Sequence, residues 1–166
     1  MEAGRTHLRG LTLVELCVCL SITSVLCSIA LPAMSRLRHH QTLVASTNAM
    51  IHALQLTRIQ AITTRQAQQL CPAGPHDTCL KSTDWSNGWL MIPVKESDAP
   101  PPAHHGGPGK GVLVQSTAGR TQVRYNSDGT SPGTNVTITL CNSAGTNHVV
   151  VNNTGRVRST RTIATC

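Results

Sequence analysis

The sequence predicts an α+β fold. A long N-terminal helix, membrane-spanning in its first half and amphipathic in its second, packs on an antiparallel β-sheet head. Three observations predict it. Residues 16–31 carry no charge, and Glu15 is the only charge in 11–31. From Ser35 to about Arg65 there is neither Pro nor Gly, and apolar residues recur at helical spacing. Beyond Arg65 the pattern changes to short β-branched runs separated by turn residues.

Composition narrows the function classes. The 166 residues are enough for one ordinary domain. Lys plus Arg is 14 against 7 Asp plus Glu, a net charge of +7, yet charged residues are only 13% of the chain and apolar ones 39%. Those proportions exclude a highly charged disordered chain. Aromatics are 2%, namely Trp85, Trp89 and Tyr125. That is too few rings for a module that stacks nucleic-acid bases. The core is therefore built from Val, Ile, Leu and Ala.

The first element, residues 11–31, is about 30 Å long as a helix, the thickness of a bilayer hydrocarbon core. A secretory signal would have a shorter apolar run and small residues at its cleavage site. Ile29-Ala30-Leu31-Pro32 does not offer them. A plain anchor leaves Glu15 unexplained, because a carboxylate inside a span is costly and as a rule functional. Pro32 marks a kink rather than an end. In the second half, Leu43, Val44, Met50, Ile51, Leu54, Ala61 and Ile62 fall within an arc of about 120°, the width of a buried stripe. Arg58 falls in the same arc and reads as an edge residue that snorkels to water.

Six strands follow: Gln69–Cys71, Gly88–Ile92, Gly111–Val114, Thr121–Tyr125, Asn135–Leu140 and His148–Val151. Asn126-Ser127-Asp128-Gly129 reads as a turn. Residues 97–111, with four Pro, read as a long mobile loop without apolar period.

The N-terminal residues carry a resemblance. Gly10-Leu11-Thr12-Leu13-Val14-Glu15-Leu16, behind a short leader with Arg5 and Arg9, resembles the class III signal of type IV prepilins. The resemblance implies cleavage by a prepilin peptidase between Gly10 and Leu11 and methylation of the new N-terminus. It also implies that Glu15 serves filament assembly by neutralising the terminal amine of a neighbouring subunit. On this reading 1–10 is a leader peptide, 11–34 the transmembrane half of the helix, 35–66 its amphipathic half and 67–166 the head. The head resembles the FimT/GspH class of minor pilins, the FimT type most closely. The residues that carry this are Cys71 to Cys79, Asp84-Trp85-Ser86-Asn87-Gly88-Trp89, Val123-Arg124-Tyr125 with Asp128-Gly129, and Thr154-Gly155-Arg156-Val157-Arg158. The class implies a type IV pilin fold, a single pass through the inner membrane with a periplasmic head, incorporation into a type IV pilus or pseudopilus, and other pilin subunits as partners.

Seven cysteines divide into two groups. Cys17, Cys19 and Cys27 lie in the apolar run and behave as small apolar residues. Cys71, Cys79, Cys141 and Cys166 lie in an exported head, where an even number reads as disulfides. We pair Cys71 with Cys79 as neighbours and Cys141 with Cys166 as a tie on the chain end. Loop closure assigns about 2–3 kcal/mol to the first and roughly 3.5 kcal/mol to the second. His76 lies between Cys71 and Cys79, but the spacing fits no zinc motif. His39-His40 and His104-His105 read as solvated pairs, so no metal or cofactor is expected. No nucleophile, metalloprotease or phosphate-loop motif occurs and carboxylates are scarce, so no enzyme activity is expected.

The tail stands out. From Thr154 to Cys166 there are three Arg and no acid. From residue 68 onward, 8 basic residues face 5 acidic ones, so Arg156, Arg158 and Arg161 account for the whole excess. Gly155 would let the backbone approach a ligand closely. On an extended chain Arg156 and Arg158 point to one side about 6–7 Å apart, close to the phosphate spacing of a nucleic-acid strand. Arginine binds phosphate bidentately. A disulfide at Cys166 would reduce the entropy lost on binding. The residues alone allow equally an edge strand protected by charge. The resemblance implies instead the DNA-binding element of FimT-type pilins, which serve DNA uptake in natural transformation. Lys81, Arg120 and Arg124 are supporting candidates alongside Arg161. The alternative is a GspH-like structural pseudopilin of a type II secretion system, or a minor pilin that primes pilus assembly, neither binding DNA.

Overall fold

The computed structural model describes residues 12–94, 104–133, 135–162, 164 and 166. Gly10 and Leu11, the expected cleavage site, lie outside the described residues, as does 97–103 of the expected loop. The chain divides into two compact units, Met1–Leu37 and Arg38–Cys166.

The first unit contains the start of helix α1 (Leu13–Thr64). Thr12 caps it: the Glu15 N–H donates to Thr12 Oγ1 at 3.2 Å and the Leu16 N–H to the Thr12 carbonyl at 3.1 Å. Thr12-Leu13-Val14-Glu15 thus has the spacing of a capping box, which puts a carboxylate at the positive end of the helix dipole. The helix is long and apolar enough here to cross a membrane. Ser21, Ser24 and Ser28 turn their hydroxyls back onto helix carbonyls at 2.7–2.8 Å, which satisfies them without water. Cys17, Cys19 and Cys27 are free thiols. The helix continues past Pro32 and ends where Arg65 takes a left-handed φ of 54°.

The second unit packs the rest of α1 against two antiparallel four-stranded sheets. The first, in order β3-β2-β1-β5, uses β1 (Gln68–Pro72), β2 (Trp89–Pro93), β3 (His104–Gly106) and β5 (Val123–Tyr125). The second, in order β4-β6-β7-β8, uses β4 (Leu113–Ser116), β6 (Val136–Asn142), β7 (Gly145–Val151) and β8 (Val157–Thr162). Alternation sorts their side chains. Val136, Ile138 and Leu140 point inward from β6, and Val149 and Val151 from β7. They meet Leu43, Met50, Leu54 and Ala61 of α1, with Trp85, Trp89, Val114, Val123 and Tyr125, in one core.

The helix stripe needs correcting in detail. Val44 is 37% and Ile62 45% exposed, whereas Ser46, Thr47 and Thr57 are buried. The hydroxyls of these three bond to carbonyls one turn back at 2.7–2.8 Å, so burial leaves them satisfied. Ser46 and Thr47 then accept further bonds at 2.8 Å, from the Gly109 N–H and from Asn147 Nδ2. Small hydroxyls that lock helix to head have taken places that an apolar count cannot see. Part of the expected 97–111 loop is also strand: His104–Gly106 pairs with Trp89–Met91. A Cβ at Gly106 would sit 2.3 Å from Trp89 Nε1, so glycine is what lets β3 lie over that ring.

Disulfides join Cys71 to Cys79 and Cys141 to Cys166, each with Cα atoms 5.5 Å apart.

Candidate nucleic-acid interface

The tail is a β-strand. After β7 the chain turns through Asn152–Gly155 and returns as β8, at the edge of the second sheet. Asn152 organises the turn. Its carbonyl accepts from the Gly155 N–H at 2.8 Å. Its Oδ1 accepts from the Arg156 N–H at 2.9 Å and from the Thr154 hydroxyl at 2.8 Å. Its N–H donates to the Arg156 carbonyl at 3.2 Å. Arg156 therefore enters the strand with its backbone fixed at both ends.

Gly155 corrects an expectation. It is buried, with φ 77°, and a Cβ there would lie 2.2 Å from the Gly129 carbonyl oxygen and 3.2 Å from Tyr125 Cε1. The close approach that it allows is to another turn of the same head, with its face turned away from solvent. It sets the turn from which Arg156 enters the strand.

Arg156, Arg158 and Arg161 are exposed. Val157 is half-buried and packs against the core, so Arg156 and Arg158, one on each side of it, share the outer face of the sheet. Arg161 has the opposite parity and pairs across the ladder with Asn147, a buried inward residue. The three arginines are thus a pair on one face and a single residue on the other. Among the described residues none of them has a carboxylate within 4 Å.

The supporting candidates separate. Arg124 is exposed on β5, and its carbonyl accepts from Ser131 Oγ at 2.5 Å, while the Ser131 N–H donates to the Asn153 carbonyl at 2.9 Å. It is tied through one residue to the tail turn. Arg120 is exposed beside β4, at the other edge of the sheet from β8. Lys81 is exposed, and no described contact joins it to the tail.

Arg58 does not snorkel. Its Nε donates to the Gly129 carbonyl at 2.9 Å and its Nη2 to the Thr154 carbonyl at 3.3 Å. The sequence did signal it, as the one charge on the core-facing arc. Below it, the Tyr125 hydroxyl is buried with no hydrogen-bond partner among the described residues. Burial pushes that phenol up to about 12, partly offset by the Arg58 charge. Asp128, in the neighbouring turn, is exposed. Hydrogen bonds from the Thr130 hydroxyl at 2.6 Å and N–H at 2.9 Å hold its carboxyl below the ordinary range. No group of three or more metal-ligating side chains occurs among the described residues.

A capped apolar helix feeding an amphipathic one, laid on two antiparallel sheets with a disulfide-tied end, is the architecture of a type IV pilin-like subunit. The type IV minor pilin FimU of Pseudomonas aeruginosa strain PAO1 is similar in fold in two crystal forms. One has a TM-score of 0.57 at 20% identity, covering 72% of this chain and 88% of that one. The other has a TM-score of 0.53 at 20% identity, covering 70% and 90%. No curated protein matches the sequence. The family model for the type II transport protein GspH matches residues 46–155, and the chain belongs to that family. Its members are structural proteins rather than enzymes, and membership implies other pilin subunits and prepilin peptidase as partners. The match ends at Gly155, one residue before the arginine pair.

Proposed function

We propose that this protein is a FimT-type minor pilin that binds extracellular DNA through the phosphate backbone, without sequence preference, for uptake in natural transformation. The observation that carries this reading is the pair Arg156 and Arg158: exposed, on one face of a tethered strand, with no carboxylate within 4 Å among the described residues. Arg161 reaches from the other face, and Arg124 supports the pair through the turn. Maturation by cleavage between Gly10 and Leu11, methylation of Leu11, filament assembly through Glu15 and a periplasmic head anchored in the inner membrane belong to the same reading.

Scarce aromatics make the mode electrostatic. Two or three phosphate contacts correspond to a Kd on the order of 10⁻⁴ to 10⁻⁶ M and a log–log salt slope of about −2 to −3. The full chain in detergent, titrated with DNA at two salt concentrations, tests it. Arg156→Ala with Arg158→Ala should cut the slope by about two. Unchanged binding in that double variant removes the tail from the mechanism. The GspH family match favours a second reading, a structural pseudopilin of a type II secretion system. Absence of DNA binding in the same titration removes the first reading and leaves a structural role, as a pseudopilin or as a minor pilin that primes pilus assembly.

A further inference from the structure

We infer that Arg58 is the positioning residue for the DNA-contacting arginines, fastening the turn that carries them to the turn at Gly129; this rests on the DNA-binding reading above. Arg58 leaves α1 near its end and is half-buried. One planar guanidinium spans two carbonyls, Gly129 at 2.9 Å and Thr154 at 3.3 Å, from turns that precede different strands.

Both turns are built to admit it. Gly129 and Gly155 have φ of 78° and 77°, a region that side chains other than glycine rarely adopt. A Cβ on Gly129 would lie 3.1 Å from Arg58 Nε and 2.7 Å from Ile62 Cδ1, and one on Gly155 would lie 3.3 Å from the same Nε. The guanidinium and the two glycines interlock.

The consequence reaches the tail within two residues. Thr154 is held by its carbonyl, Gly155 by its N–H to Asn152, and Arg156 by its N–H to the Asn152 side chain. The Arg156–Arg158 pair is therefore presented on a fixed backbone, with less freedom to lose on binding. The acceptors matter too. Arg58 is satisfied by carbonyl dipoles and not by a carboxylate, so the fastening itself needs no acidic partner. A lysine keeps the charge but lacks the planar fork that meets both carbonyls.

The test uses the full chain in detergent, a labelled DNA duplex and four variants: Arg58→Lys, Arg58→Gln, Arg156→Ala with Arg158→Ala, and Leu43→Ala. Leu43 is a core residue 15 positions earlier on α1, about 22 Å along the axis, and controls for lost stability. Arg58→Lys is expected to weaken DNA binding about 3–10-fold, the worth of holding one or two long side chains in place, with the salt slope unchanged. Arg58→Gln should weaken it at least as much, and Leu43→Ala should bind like the parent despite a lower Tm. Wild-type affinity in Arg58→Lys, with the double arginine variant weakened, overturns the positioning role alone. So does an equal loss in Leu43→Ala. Wild-type affinity in the double variant overturns the DNA reading itself.

Discussion

A methyl group at position 155 would collide with backbone, which cannot swing aside as a side chain would. Gly155→Ala also forces a left-handed φ on a residue with a Cβ, which alone costs roughly 1–2 kcal/mol. The variant should lose more than that in urea unfolding, and its DNA affinity should fall although no cation has been removed. Tyr125 predicts the reverse. Its hydroxyl is buried without a partner among the described residues, so Tyr125→Phe should gain about 1 kcal/mol at neutral pH. The phenol ionises near 10 in the unfolded chain and near 12 in the folded one, so wild-type stability falls as pH rises between those values. Unfolding at pH 8 and pH 11 should show a smaller loss in Tyr125→Phe. Asp84 and Asp128 act at the acid end. Hydrogen bonds from Ser86 and Thr130 hold both carboxyls low, so their contribution is present at neutral pH and fades as pH falls through the lowered values.

At the scale of elements, β6 and β7 were legible because alternation and β-branching coincide there, although the strands run further than expected, to Asn142 and back to Gly145. The stripe on α1 was legible only in part. Ser46, Thr47 and Thr57 carry no apolar signal, and their burial depends on hydroxyls bonding within the helix, a tertiary arrangement that periodicity does not encode. β3 was hidden because His104-His105-Gly106 has no strand propensity; it exists through the ladder to β2 and the close approach of Gly106 to Trp89. β8 has an exposed, polar sequence, and its strand character comes from the register with β7 and from the bridge at its end. Cys141→Ser with Cys166→Ser should lose at most about 3.5 kcal/mol, the loop-closure figure for that bridge. Melting of the oxidised parent against the double variant measures it. If β8 frays with the bridge gone, DNA affinity should drop in parallel.

At the scale of the whole molecule, the candidate site was legible as a composition, a cluster of cations without acids, but not as a geometry. Spacing placed Arg156 and Arg158 together, and the pleat does the same. Arg161, an odd number of residues away, was grouped with them by charge and is set apart by parity. Arg58 was visible as an anomaly and misread as a surface residue, because its two acceptors come from turns 71 and 96 positions distant. On the DNA-binding reading a single head with so few contacts would hold DNA weakly, so capture would need several heads on one duplex or help from other pilins, and avidity should rise with the number of subunits displayed.

The free side of β8 has one more effect. Were two heads to meet there in an antiparallel register centred on residue 158, the Arg158 side chains of the two heads would stand directly opposite each other on one face. Like charges directly across a ladder repel, and charged edge strands resist such pairing. The same cations that are proposed to hold a polyanion would therefore also disfavour a continuous sheet between neighbouring heads.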